Sequence, residues 1–196
     1  MHKGHTAQAR GQIRIIGGQW RGRKIPVINR PGLRPTPNRV RETLFHWLDG
    51  AIKYSKCLDC FAGTGALGLE ALSRYATSTT FLEIQPSIIV QMQYNLATLK
   101  AKNGYIIHTN TLKFLSQKGE LYHLVFVDPP FNADLINITL ALLENNSWLH
   151  HESFIYVENS VKMRPPTVPK NWLLYREIIA GQVVSRLYCR TEGICK

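Results

Sequence analysis

Acid is scarce in this chain and absent from its first 41 positions. Against 24 lysines and arginines, the 196 residues carry 13 aspartates and glutamates, a net charge of +11. Ten of the bases (Lys3, Arg10, Arg14, Arg21, Arg23, Lys24, Arg30, Arg34, Arg39 and Arg41) fall in the acid-free stretch. The other 155 residues hold 14 bases beside the 13 acids and are nearly neutral. A neutral body with one strongly basic end is the electrostatic footprint of a protein that meets phosphate. Trp20 and β-forming residues are interleaved with the charges, which sets the stretch apart from a solvated tail.

Long apolar runs are missing too. None approaches the roughly 18 residues of a membrane span, and the polar N-terminus has no apolar signal core, so a soluble cytoplasmic protein is expected. Repeats and low-complexity tracts are absent, and 44% hydrophobic residues argue against wholesale disorder. The length suits one sizeable domain with a small appendage. Only four cysteines are present, Cys57, Cys60, Cys189 and Cys195. The first two have the spacing of a metal knuckle or redox pair. They lie, however, in the apolar run Cys57-Leu-Asp-Cys-Phe61, where a strand would send successive side chains to opposite faces. They are read as buried reduced thiols, and no metal is expected.

The chain opens with a loose segment over residues 1–11. Gln12–Ile16 and Arg23–Ile28 are short β-prone runs joined by Gly17–Gly22, a hairpin signature, with Pro26 marking an edge strand. Asn29–Pro37, rich in proline, is an extended loop. Thr36-Pro37 reads as an N-cap followed by proline at the first helical position, opening a helix to about Leu48. From Lys56 onward, apolar runs at Cys57–Cys60, Thr79–Glu83, Tyr105–His108, Leu124–Val127 and Phe154–Val157 predict strands. They alternate with helices near Ala66–Tyr75, Pro86–Ala101, Thr111–Gln117 and Ala133–Leu143. Strand–helix repetition with continuously apolar strands predicts an α/β fold with a parallel sheet covered on both faces. Trp172–Ile179 and Gln182–Cys189, around Ala180-Gly181, predict an antiparallel hairpin closing the sheet. His108 and His123 read as ordinary strand-end residues.

Asp59-Cys-Phe-Ala-Gly63-Thr-Gly65-Ala-Leu-Gly68 falls where the first sheet strand turns into its helix. Glycines there let a ligand approach the backbone at the carboxyl end of the sheet. The Gly-x-Gly-x-x-Gly match, with Glu83 ending the next strand to hold ribose hydroxyls, also fits a nicotinamide dinucleotide. Asp59 weighs against that reading: a carboxylate four residues before the first glycine repels a pyrophosphate and welcomes an ammonium. The Asp59-x-Phe61-x-Gly63-x-Gly65 pattern resembles the first motif of S-adenosylmethionine-dependent methyltransferases, in which such an acid neighbours the methionine part.

Asp128-Pro-Pro-Phe131 ends the apolar strand Leu124–Val127 and so projects beside the same crevice. An exocyclic base amine is a poor nucleophile because its lone pair is delocalised into the ring. Acceptors aimed at it favour pyramidal nitrogen and the positive charge that grows during attack. Asp128 can accept one amine hydrogen and the Pro129 carbonyl another. Pro129 and Pro130 fix the backbone, and Phe131 offers a face for an extruded base. The tetrapeptide resembles the Asn/Asp-Pro-Pro-Tyr/Phe motif of enzymes that methylate planar nitrogen, and Asp with Phe leans towards guanine amines in RNA.

The likeness extends along the chain. Gln12–Lys24, Gly32–Thr36, Arg39–Phe45, Cys57–Ala76, Asp128–Phe131, Pro166–Pro169 and Ala180–Gln182 resemble the bacterial 16S rRNA guanine-N2 methyltransferase family that modifies guanine 966. The resemblance implies a doubly wound, Rossmann-like seven-stranded sheet over 37–196, with a basic hairpin extension over 1–36 for RNA contact. It implies S-adenosylmethionine as cofactor and 16S rRNA in the small (30S) subunit as partner. Asp59, Phe61, Gly63 and Gly65 would line the methionine side, Glu83 the ribose, and Asn110 and Thr111 the adenine. Arg34 and Thr36 match a loop that closes over the cofactor. Glu83-Ile-Gln85 departs from the family, where an aspartate commonly follows the acid.

Arg10, Arg14, Arg21, Arg23, Lys24, Arg34, Arg39 and Arg41 are candidate RNA contacts, with Trp20 at the hairpin tip entering a groove or stacking on a base. A monomer is expected. The alternatives are a non-catalytic RNA-binding or ribosome-assembly factor on the same fold, and a methyltransferase for another RNA or a protein glutamine. The intact acid, glycines and Asp-Pro-Pro-Phe weigh against the first, and the basic hairpin weighs against a protein substrate.

Overall fold

A computed structural model describes residues 10–28, 36–130 and 135–191. Residues 1–9 of the expected loose segment, most of the proline-rich loop with Arg34, Phe131, and Cys195 lie outside the described residues, whereas Arg10 and Gly11, also expected to be loose, are in strand, held by pairing with Ile28 and Val27.

Two short strands, β1 (Arg10–Arg14) and β2 (Lys24–Ile28), pair antiparallel with Arg10 opposite Ile28 and Arg14 opposite Lys24. Alternation along them turns Ile13, Ile25 and Val27 inward and Gln12, Arg14 and Lys24 outward. Helix α1 (Asn38–Trp47) follows, and then the alternating units: β3 (Lys56–Asp59), α2 (Ala66–Ser73), β4 (Ser78–Glu83), α3 (Pro86–Leu99), β5 (Gly104–His108), α4 (Thr111–Leu115), β6 (Tyr122–Val127), α5 (Ile136–Asn145) and β7 (Leu149–Ser160). The chain closes on β8 (Trp172–Ala180) and β9 (Val183–Arg190), turned at Gly181, whose φ is +62°. The expected seven-stranded sheet is present, in the order β5-β4-β3-β6-β7-β9-β8. Its first five strands run parallel, and β9 is antiparallel to both neighbours.

Among the boundaries that differ from the sequence reading, three have a plain tertiary or local reason. Thr36 does not cap α1: Pro37 occupies the N-cap with no side-chain hydrogen bond, and the Thr36 hydroxyl turns inward instead. Helix α2 stops at Ser73, because Arg74 leaves the helical region and Tyr75 adopts a left-handed φ of +69°. Strand β7 runs 12 residues, far beyond the four expected, because β6 and β9 pair with it on its two sides.

The hairpin shares its core with the sheet domain. Ile13, Ile15, Trp20, Ile25 and Val27 pack in one cluster with Leu69 and Leu72 of α2, Phe81 of β4, and Met92 and Leu96 of α3. A polar latch completes the seam. The fully buried Glu70 carboxylate accepts the amides of Ile16 (2.8 Å) and Gly17 (2.7 Å) and the Arg74 Nε (2.9 Å). Ser73 accepts the Trp20 amide and donates to the Gly17 carbonyl. Gly18 has φ +74°, and a Cβ there would lie 1.8 Å from the Ser73 carbonyl oxygen, so only glycine fits. On the other strand, Asn95 of α3 donates to the Pro26 carbonyl, covering β2.

Candidate active site

The strand order reverses between β3 and β6, whose neighbours lie on opposite sides, so the crevice at their carboxyl ends is where ligands of open α/β sheets bind. Four acids stand at carboxyl ends of adjacent parallel strands: Asp59 on β3, Glu83 on β4, Asp128 just after β6 and Glu158 near the end of β7.

Between β3 and α2 the chain turns through Gly63 (φ +50°) and Gly65 (φ +75°), closed by a bond from the Gly65 amide to the Ala62 carbonyl. Gly68 lets α2 lie against β4, for a Cβ there would meet Phe81 Cε1 at 2.2 Å. Asp59, 3% exposed, accepts the Gly68 amide at 3.2 Å. Burial pushes its carboxyl up to about 7, against the amides of Gly68 and Phe61 and with the help of Glu83. Glu83 accepts the Gly63 amide on one oxygen and those of Ile84 and Gln85 on the other, each at 2.8–2.9 Å. The exposed Asn110 caps α4 by accepting the Lys113 amide, whereas Thr111 is buried and donates its hydroxyl to the Cys60 carbonyl. Thr111 therefore ties α4 to the end of β3, with its hydroxyl proton already engaged. Phe61 is half-buried beside the turn.

Asp128 keeps part of its surface open while its carboxyl is enclosed by protein. Burial pushes it well above the usual carboxylate range, Glu158 and Asp59 add their charges in the same direction, and the Thr36 hydroxyl opposes them. Pro129 is buried and Pro130 exposed. Glu158 is buried and also raised by desolvation, and it accepts the Tyr156 hydroxyl at 2.6 Å. The sequence reading missed Glu158 and Tyr156. The signal was available: like Asp59, Glu83 and Asp128, Glu158 directly follows or ends an apolar strand run.

This donor set fits S-adenosylmethionine. Two buried carboxyls already repel one another across the glycine turn, so a dinucleotide's pyrophosphate adds like charge, while a ligand with an ammonium and a sulfonium relieves it. Among the described residues no group of three His, Cys, Asp or Glu side chains could hold a metal ion. Cys57 and Cys60 are buried free thiols.

Arg14, Arg21, Arg23, Lys24 and Arg39 are exposed, and Arg10 opens β1. Arg23 also donates to the Thr98 carbonyl. A cavity of about 280 Å³ lies between the hairpin and the start of α1, lined by Gln12, Arg14, Lys24, Thr36, Pro37 and Asn38. Two expected RNA contacts face inward. Trp20 is 8% exposed within the hairpin core, because the hairpin folds its large ring onto α2. Arg41 is 1% exposed; its guanidinium donates to the Arg14 carbonyl (2.8 Å) and Asn38 Oδ1 (2.7 Å) and lies 3.8 Å from Glu70. Burial lowers its pKa against the pull of Glu70. It belongs to the latch, away from the exposed cations of the hairpin.

The family described as conserved hypothetical protein 95 matches residues 13–189. The chain is 59% identical over 180 residues to ribosomal RNA small subunit methyltransferase D of Escherichia coli, covering 92% of this chain and 91% of the relative. It is 47% identical to the enzyme of the same name from Haemophilus influenzae, covering 96% and 99%. The solved structure of a proposed methyltransferase from Escherichia coli superposes with a TM-score of 0.85 at 58% identity, over 92% of this chain and 99% of that one. With that fold, that crevice and this degree of identity, the chain belongs to the conserved hypothetical protein 95 family, alongside the small-subunit ribosomal RNA methyltransferases D.

Proposed function

We propose that the protein transfers a methyl group from S-adenosylmethionine to the N2 amine of a guanine in small-subunit ribosomal RNA, guanine 966 of 16S rRNA. The observation that carries this reading is the placement of Asp128-Pro129 and the Asp59–Gly65 turn on the two strands that flank the switch point, beside a basic hairpin. The enzymatic activity of the relatives named above supports it.

When bound, S-adenosylmethionine supplies an electrophilic methyl on a sulfonium and leaves as S-adenosylhomocysteine. Asp59 would face the ammonium of its methionine part, Phe61, Gly63 and Gly65 would line that part, Glu83 would take the ribose hydroxyls, and Asn110 would stand on the adenine side. Asp128 and the Pro129 carbonyl each accept one N2 hydrogen, drawing the lone pair out of the ring and towards the methyl. As the N–C bond forms, the S–C bond breaks with its electron pair going to sulfur. The amine then carries positive charge beside Asp128 and loses a proton afterwards. Phe131, next in sequence, is the stacking surface for the base. Arg14, Arg21, Arg23, Lys24 and Arg39 meet backbone phosphates, and the cavity between hairpin and α1 admits an RNA segment towards Thr36 and Asp128. The protein works as a cytoplasmic monomer on the 30S subunit.

The test offers methyl-labelled S-adenosylmethionine with unmethylated small subunits, naked 16S rRNA, tRNA, DNA and protein extract in parallel. N2-methylguanosine from 16S rRNA is the expected product. Label in another nucleoside or in protein overturns the substrate. Cofactor binding without label in any acceptor favours a binding role.

A further inference from the structure

We propose that Glu158 is a positioning residue for Asp128: with Thr36 and Tyr156 it forms a buried cluster that orients the Asp128 carboxyl. The inference rests on the reading of Asp128 as the acceptor of the amine.

Register places the two acids together. Val127 of β6 pairs with Val157 of β7 in a parallel ladder, so Asp128 and Glu158 are the next step on strands about 4.8 Å apart, and they leave the sheet on the same face. Phe126 and Tyr156, two residues earlier on the same face, pack with Leu44 and Phe45 of α1. That is the side on which Thr36 enters α1, and its buried hydroxyl favours the ionised form of both carboxyls against burial. Tyr156, fully buried, donates to Glu158 Oε1 at 2.6 Å and fixes that side chain from below.

Among the described residues the groups facing the pair are few, and Ser185 of β9, buried opposite Glu158, is neutral. Asp59 approaches Asp128 from β3, Tyr156 comes from β7 and Thr36 from the segment before α1. Arg186 of β9, opposite Val157, is engaged by Asn159 and Glu177. Two buried carboxyls this close do not both ionise readily, so they titrate as a pair carrying one proton over an extended pH range. Burial raises Asp128 the more strongly of the two in the free protein; an amine in the crevice donates to Asp128, favours its ionised form and shifts the shared proton to Glu158. Tyr156 fixes Glu158, and Thr36 and the fixed Glu158 in turn restrict the orientation of the Asp128 carboxyl.

The experiment compares wild type with Glu158→Ala, Glu158→Gln and Tyr156→Phe in single-turnover methyl transfer to small subunits across pH, alongside cofactor binding and ¹³C-carboxyl NMR titration of Asp128, assigned with Asp128→Asn. Glu158→Ala is expected to lower the rate by up to about 10²-fold through misplacement, with cofactor affinity and KM for the subunit kept. Glu158→Gln, which retains the bond from Tyr156, restores most of the plateau rate but moves the acid limb, and the Asp128 resonance, to lower pH by about one unit. Tyr156→Phe falls between them. An Asp128 titration that does not move in Glu158→Gln overturns the proposal, as does a loss of rate matched by loss of cofactor affinity and melting temperature. The NMR result stands without any RNA: if it shows the coupling while wild type labels no RNA, the catalytic reading fails and the pairing survives.

Discussion

Replacing Asp59 by Asn is expected to stabilise the free protein while weakening its hold on S-adenosylmethionine. The buried carboxyl is pushed from 3.8 to about 7. A carboxyl raised on folding favours the native state only while it keeps its proton. Its contribution is whole below the unfolded value near 3.8, is lost as pH climbs towards 7, and is constant above. The full shift of about three units corresponds to roughly 4 kcal/mol of native-state cost at alkaline pH. Between pH of about 5.5 and 8.5 the change is roughly 2 kcal/mol. An asparagine oxygen still accepts the Gly68 amide, so the neutral variant escapes the pH-dependent part. Urea unfolding at both pH values reads the difference directly: wild type should lose roughly 2 kcal/mol relative to Asp59→Asn. Calorimetric titration at pH 8 should show the reverse order for cofactor affinity, because an ammonium meets a carboxylate only in wild type. Equal pH dependence in the two proteins, or equal cofactor affinity, would refute the assignment of Asp59 as a buried acid awaiting a cation.

Removal of the amine acceptor by Asp128→Ala should lower methyl transfer by about 10²–10³-fold with cofactor binding intact, read by single-turnover labelling beside calorimetry. Glu70→Ala should destabilise the protein by about 3–5 kcal/mol in urea unfolding, because it strands the buried Arg41 and frees the Ile16 and Gly17 amides. Arg14→Ala with Lys24→Ala, two exposed partners across the hairpin, should weaken RNA binding at all sequences. The slope of log affinity against log salt should flatten by about 0.7–0.9 for each phosphate that is no longer neutralised, with cofactor affinity unchanged, in filter-binding and calorimetric assays.

The alternation of apolar runs with helical stretches was sufficient to place every strand of the sheet and the hairpin before it. Element type depends on periods of 2 and 3.6 residues, which are written locally in the chain. Ends were less legible. The length of β7 depends on partners on both sides, and the stop of α2 on a left-handed Tyr75. At the site, Asp59, the glycines, Glu83 and Asp128 could be found because each follows or ends an apolar run and so projects at the carboxyl edge of the sheet. The same rule points to Glu158, which escaped notice because no familiar motif surrounds it.

The charged N-terminal stretch marks the boundary between the two kinds of information. The order of residues says that this region is basic and that the fold beside it is a parallel α/β sheet with a glycine turn, since charge, period and turn chemistry belong to single residues and their immediate neighbours. Composition does not separate Arg39, exposed, from Arg41, buried against Glu70. Nor does it show that Trp20 anchors the hairpin while Arg21 beside it reaches solvent. Those outcomes depend on residues tens of positions away: Glu70 and Ser73 for the hairpin, and Thr36 and Glu158 for Asp128. Burial and the partners that permit it are properties of the packed chain, so only the tertiary structure decides which cations reach solvent and which carboxyls are enclosed together.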